Sequence, residues 1–209
     1  MTISAESFLK NVAKHTMIVE LDQGNQRSIF FGQPGSSNQY FRINTWRGHL
    51  CISGDMGCFV FSRTDDMFSF FRDEVLRINK SYWGEKLQAV SLFGGYKKYC
   101  PKEFTKRVTD HFEHHKESAE LTDDQSDALW EAIKDCVLVN ADDGELYAYH
   151  EVTDFEHNGF SFQDFFDGGG TENYSYQYIW CLYAIVWGIQ QCDATKAQSD
   201  APPASYHEH

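Results

Sequence analysis

Apolar residues change their spacing several times along the chain. From Ala5 to Lys14 they fall at helical intervals, with Phe8, Leu9 and Val12 as one stripe and Ser4 placed to cap the N-terminus. Between Met17 and Ser62 the spacing becomes alternation in short runs: "MIVEL", "SIFF", "YFRINTW", "HLCIS" and "CFVFS". Turn-rich "DQGNQ", "GQPGSSNQ", "RG" and "GDMG" separate them, which predicts an antiparallel meander of about five strands. Within "YFRINTW" the alternation puts Tyr40, Arg42, Asn44 and Trp46 on one face and Phe41, Ile43 and Thr45 on the other.

Helical spacing then returns. Thr64, Asp65 and Asp66 start a helix over "MFSFFRDEVLRI", and "YWGEKLQAV" reads as another short one. "FGGYKKYCP" reads as a hinge-like connection, with Pro101 in the first turn of a helix from Lys102 to Ser118 that buries Phe104, Val108 and Phe112. A further helix starts at Thr122 or Asp123 and buries Leu129, Trp130, Ile133 and Val137. "NADDG" is a turn, "ELYAYHEV" alternates like a strand, and the last helix spans Glu172 to Gln191. Its "YIWCLYAIVWGI" is too short to cross a bilayer and suits a buried core helix. The fold class is therefore α+β: an N-terminal antiparallel β-meander with a helix, followed by a mostly helical C-terminal half. One domain is drawn over residues 1–193, and residues 194–209 have the composition of a flexible tail.

Composition sharpens one part of this picture. The 209 residues are 16% aromatic, with 17 Phe, and carry a formal net charge of −13. An acidic balance opposes direct nucleic-acid binding and docking on anionic membranes, both of which need Lys and Arg. The charge is local. No Lys or Arg occurs between Lys134 and Lys196, whereas eleven Asp and Glu do. "HEVTDFEHNGFSFQDFFDGGGTE" (His150 to Glu172) is the centre of this segment and holds six carboxylates and five Phe.

Two accounts of that segment stay open. In one, it is a solvated acidic covering over a core that takes up the rings. In the other, Asp142, Asp143, Glu145, Glu151, Asp154, Glu156, Asp164, Asp167 and Glu172 form a partner-binding surface that faces something basic. Carboxylates would then stand where phosphates stand and exposed rings where bases stack. The carboxylates also suit hard cations, but the alternating spacing of an EF-hand loop is missing.

Other constellations are weaker. "DHFEHHKE" sets His111 and His115 four apart beside His114, the spacing of paired zinc ligands on a helix, with His150 or His157 as a more distant third ligand. Phe112 stands where the zincin motif needs Glu, and a polar stripe opposite Phe104, Val108 and Phe112 explains the histidines equally well. Asp55 in "GDMG" reads as hairpin-turn chemistry. "LFGGYKK" lacks either nucleotide-loop signature, and no G-x-S-x-G occurs. The six Cys form no CxxC pair, and the N-terminal "MTISAESFLKNVAKH" lacks the apolar run of a signal peptide. The cysteines are accordingly expected to stay reduced and to act as small core residues. No catalytic residue, metal ligand or cofactor is assigned.

"RINTWRGHLCISGDMGCFVFSRTDDMFSFFR" (Arg42 to Arg72) resembles a recurring segment of uncharacterised phage and prophage proteins, and "YIWCLYAIVWGIQQ" is similar to their C-terminal helix. The resemblance carries no activity. It implies a phage or prophage origin and action in the bacterial host cytoplasm, where small accessory proteins often block CRISPR or restriction systems. The leading expectation is a non-enzymatic inhibitor of a host nucleic-acid-handling or defence complex. Its acidic, aromatic segment would dock on a basic surface of a host protein or protein–nucleic-acid complex, without touching nucleic acid or membrane; a homodimer is compatible with this. The alternatives are a metal-dependent enzyme acting on a nucleotide or defence signal through His111, His114 and His115, and a protein that sequesters a small ligand where Arg42, Arg47, Arg63 and Arg72 converge.

Overall fold

Alternation in the meander decides which side of the sheet is dry. In the computed structural model, which describes residues 3–92 and 95–199, six strands pair in sequence order into one antiparallel sheet. They are β1 (Thr16–Gln23), β2 (Gln26–Gly32), β3 (Phe41–Trp46), β4 (His49–Gly54), β5 (Gly57–Ser62) and β6 (Leu87–Val90). Register stacks like on like: Ile43 lies opposite Ile29 and Ile52, Phe41 opposite Phe31, and Leu50 opposite Phe61. Phe41, Ile43 and Thr45 are buried as their alternation predicts, while Arg42 and Asn44 lie half-buried on the other face and Trp46 is exposed.

The sixth strand, "LQAV", was expected within a helix. Only α3 (Lys80–Gly84) is helical there, capped by Asn79, whose side chain accepts from Tyr82 N at 3.1 Å. Helix α1 (Ala5–Val12) is closed by a reciprocal Ser4/Ser7 capping box and buries Phe8 and Val12, but Leu9 is left exposed. Helix α2 (Met67–Phe71) is much shorter than "MFSFFRDEVLRI" suggested. Arg72 turns extended, and its guanidinium reaches the Asp193 carboxylate at 2.8 Å.

Helix α7 (Tyr176–Ser199) covers the apolar face of the sheet. It starts later than the predicted Glu172, because Glu172 belongs to a short strand, and it continues through residues 194–199, which were assigned to a flexible tail. The rest of that tail, 200–209, lies outside the described residues, as do Phe93 and Gly94 of the connection "FGGYKKYCP". Trp180, fully buried, donates through Nε1 to Asn11 Oδ1 at 3.2 Å and meets Phe8 edge-on at 5.2 Å. Tyr178 donates to Lys80 O at 2.9 Å. Gly188 lets the helix come close to the sheet: a Cβ there would stand 2.7 Å from Ile43 Cδ1 and 3.2 Å from Phe31. Among the described residues, no helix is long and apolar enough to cross a membrane.

The chain divides into two compact units. Unit 1 comprises residues 1–96 and 174–209, and unit 2, residues 97–173, is inserted in sequence between β6 and α7. The one domain drawn over residues 1–193 thus holds two cores. Unit 2 contains β7 (Lys97–Tyr99), α4 (Pro101–Ser118), α5 (Asp123–Ile133), α6 (Glu145–Asp154), the hairpin β8 (Glu156–His157) and β9 (Phe160–Ser161), and the first two residues of β10 (Glu172–Tyr174), which pairs with β7. The predicted stripe Phe104, Val108 and Phe112 is buried, and so are Leu129, Ile133 and Val137, while Trp130 is half-buried. Thr122 and Gln125 form the capping box of α5. A π-helical turn over Lys134–Leu138 follows α5.

Helix α6 overturns the strand expected at "ELYAYHEV". Its alternating tyrosines suggested period two, but the buried positions are Ala148 and Val152, four apart on one helical face. Of the six cysteines, all free thiols, only Cys181 and Cys192 are buried. Cys51 and Cys58 lie half-buried with their sulfurs 3.7 Å apart, and Cys136 is exposed. Overall the fold is α+β, as the spacing predicted.

Gly188→Val should destabilise the protein by about 2 kcal/mol, because overpacking at this approach outweighs any gain in helix propensity. Urea unfolding followed by tryptophan fluorescence measures it, and an unchanged midpoint would contradict the tight α7–sheet approach.

Candidate acidic docking surface

Each unit carries a different charge balance. Unit 2 contains seven Lys and Arg against nineteen Asp and Glu, a balance of −12, leaving −1 for unit 1. The units also differ in how their carboxylates are matched. In unit 1, Glu20 is paired with Arg42, Asp22 with Arg27 and Lys196, Asp65 with Arg47, Asp66 with Arg27, Asp73 with Arg77 and Asp193 with Arg72. In unit 2 the ion pair among the described residues is Lys134–Glu131, three apart across the end of α5.

None of the nine predicted partner-binding carboxylates is ion-paired among the described residues. Asp142 and Asp143 sit in a 3-10 turn, and Glu145, Glu151 and Asp154 on α6. Glu156 is on β8, Asp164 and Asp167 are in the loop after β9, and Glu172 is on β10. All are exposed except Glu151, which is half-buried and accepts from Asn140 Nδ2 at 2.9 Å. Their field is felt locally. Tyr99, which donates to Ala141 O, has its hydroxyl pushed up to about 12 by burial first, then by the charge of Asp142, with Cys100 and Glu145 adding to it.

The phenylalanines of the acidic stretch point inward. Phe155, Phe160, Phe162 and Phe165 are buried in the core of unit 2, and Phe166 is half-buried against it. They pack ring on ring, with Phe160–Phe162 at 5.0 Å and Phe162–Phe165 at 5.4 Å. The exposed apolar groups of this surface are elsewhere: Leu146 (68% exposed), Tyr147 (57%) and Tyr149 (47%) on α6. Reading "ELYAYHEV" as a strand hid them. With Ala148 and Val152 taken as the buried pair of a helix, they fall on its outside.

Arg107 on α4 holds the acidic loop from behind its carboxylates. Its Nε donates to Phe165 O at 2.5 Å and its Nη2 to Asp167 O at 2.8 Å, and the guanidinium lies 5.2 Å from the Phe165 ring centre. The cation satisfies backbone carbonyls and forms no ion pair with the Asp164 or Asp167 side chains. Gly170 leaves room for it, since a Cβ there would stand 2.8 Å from Arg107 Nη1.

Two histidines of α4 pack on the β8–β9 hairpin and the loop that follows it. The His111 ring lies 5.0 Å from that of Phe165, and the His115 ring 4.7 Å from that of Phe160. His114 is exposed, and the three line a depression of about 360 Å³ together with Ser118 and Gln163. His157 stacks on Phe155, and Asn158 Nδ2 donates to its Nε2; His150 is exposed on α6. Among the described residues, no group of three or more His, Cys, Asp or Glu is placed to hold a metal ion. Of the four arginines Arg42, Arg47, Arg63 and Arg72, three are each engaged by a different carboxylate: Arg42 by Glu20, Arg47 by Asp65 and Arg72 by Asp193. Asp55, in the β4–β5 turn, accepts from Gln39 N at 2.8 Å and so ties that turn to the loop before β3.

No protein-family model, curated protein or solved structure matches the chain.

Burial, aided by the nearby Arg107 and His114 charges, holds the His111 pKa below its ordinary value of 6.5. Asp110 opposes the shift. The unfolded chain therefore binds the proton first as pH falls, and stability drops as pH passes below about 6.5. His111→Gln should flatten this acid-side loss, which urea midpoints measured on both sides of that pH will show; an identical pH dependence in the variant would contradict it.

Proposed function

We propose that this protein is a non-enzymatic inhibitor, of phage or prophage origin, that acts through unit 2 on a basic surface of a host nucleic-acid-handling or defence complex. The observation that carries the reading is the segregation of charge: −12 on unit 2 against −1 on unit 1, with none of the nine carboxylates of the surface in an ion pair among the described residues. Exposed charges that lack internal partners contribute little to folding. Gathered on one unit, they make a field that steers and orients a basic partner and repels nucleic acid.

The anchoring groups are not the phenylalanines. Leu146, Tyr147 and Tyr149, exposed on the same helix as Glu145 and Asp154, are the apolar and aromatic groups available to a partner, and rings of this type dominate interface energetics. A surface of this chemistry competes with nucleic acid for a positively charged groove, which is how a carboxylate array acts as a partial nucleic-acid mimic.

The test combines Asp154→Lys, Glu156→Lys, Asp164→Asn and Asp167→Lys. Asn replaces Asp164 because its backbone has φ of +54°, which Asn tolerates and Lys does not. All four side chains are exposed and unpaired, so the variant should unfold at the wild-type temperature. Binding to the complex that wild type captures from bacterial lysate, and inhibition of that complex's nucleic-acid binding, should weaken about tenfold or more. Wild-type binding should also weaken steeply with salt. A folded quadruple variant that binds and inhibits like wild type would remove the basis of the proposal.

A further inference from the structure

Between α6 and the loop after β9 lies a cavity of about 330 Å³. Its lining includes the aromatic residues Tyr149, Phe162, Phe165 and Phe166 and the two acidic residues Asp164 and Asp167. Phe162 and Phe165 are anchored in the core. Tyr149, nearly half exposed, leans on Phe166 with ring centres 4.8 Å apart and planes 30° from parallel, leaving aromatic surface uncovered. The nearest guanidinium of the chain itself, that of Arg107, is held by the carbonyls of Phe165 and Asp167, so the two carboxylates carry no ion-pair partner among the described residues.

We infer that this cavity receives an arginine side chain of the partner protein, its guanidinium stacked on Tyr149 and Phe166 and donating to Asp164 and Asp167. The inference rests on the acidic-docking reading above and names the contact at its centre. Charge complementarity selects a cation, and the rings select which one. A guanidinium is planar, weakly hydrated and forked, so it can lie on a ring face and meet two carboxylates at once. An ammonium holds its water more tightly and gains less from stacking. A phosphate or nucleotide is repelled by Asp164 and Asp167, and a bare calcium ion needs six or more oxygen ligands, more than two carboxylates provide. The volume is of the size that small ligand groups occupy.

The experiment titrates the protein into labelled arginine-rich and lysine-rich peptides of equal length and charge at low salt, read by fluorescence anisotropy. Wild type should bind the arginine peptide about fivefold more tightly. Tyr149→Leu, which keeps an apolar side chain at an exposed position, should bring that ratio close to one, and so should Asp164→Asn combined with Asp167→Asn. Circular dichroism confirms that both variants are folded, and the two alter the cavity independently. If wild type binds both peptides equally, or if the arginine preference survives in both variants, the cavity assignment is overturned while the acidic-surface reading stands. If neither peptide binds wild type, both are overturned.

Discussion

A helix that is apolar on nearly every side must be wrapped, and α7 is that helix. Tyr178 to Ile189 is buried almost throughout, against the one dry face that the meander sheet presents. Neither part is stable in water alone. The sheet would expose Phe31, Phe41, Ile43, Phe59 and Phe61, and the helix would expose Trp180, Leu182 and Ile185. These partners come from opposite ends of the chain, so every residue between β6 and α7 behaves as one long closed loop. The cost of closing such a loop rises only slowly with its length, which is why an insertion of 77 residues with its own core is compatible with unit 1.

That arrangement lets the two units follow different electrostatic rules. Unit 1 matches its carboxylates to Arg and Lys across strands and helices, as with Arg27 between Asp22 and Asp66. Unit 2 leaves most of its carboxylates exposed and is held together by ring packing: phenylalanine on phenylalanine, histidine on phenylalanine, and one guanidinium on backbone carbonyls. Self-repulsion among like charges works against a compact state. Here the acids sit on turns, helix exteriors and a loop, where water screens them, and the rings beneath supply the cohesion.

Some of the candidate surface was legible in the sequence, and some was not. The position of the charge was, because the absence of Lys and Arg between Lys134 and Lys196 is a count that no fold can change. The orientation of the rings was not. Phe155, Phe160, Phe162 and Phe165 sit at irregular intervals in a segment that is partly helix end, partly hairpin and partly loop, where neither period two nor period 3.6 applies. Helix α6 misled for a related reason: Tyr147 and Tyr149 alternate, but they are its exposed residues, and its buried stripe is only Ala148 and Val152.

By itself the sequence determined the α+β class, the five principal strands with their inner face, the capped helices α1 and α5, the proline-led helix α4, and the place where the charge gathers. Each of these follows from local spacing, capping chemistry or a count. Only the tertiary structure decided that 97–173 has a core of its own, that the acidic stretch turns its phenylalanines inward, and that Leu146, Tyr147 and Tyr149 face outward instead. It also decided that Arg107 holds loop carbonyls while Asp164 and Asp167 form no ion pair among the described residues. The reason is physical: which apolar groups are dry and which charges are paired depends on neighbours brought from distant parts of the chain, and local pattern carries no record of them.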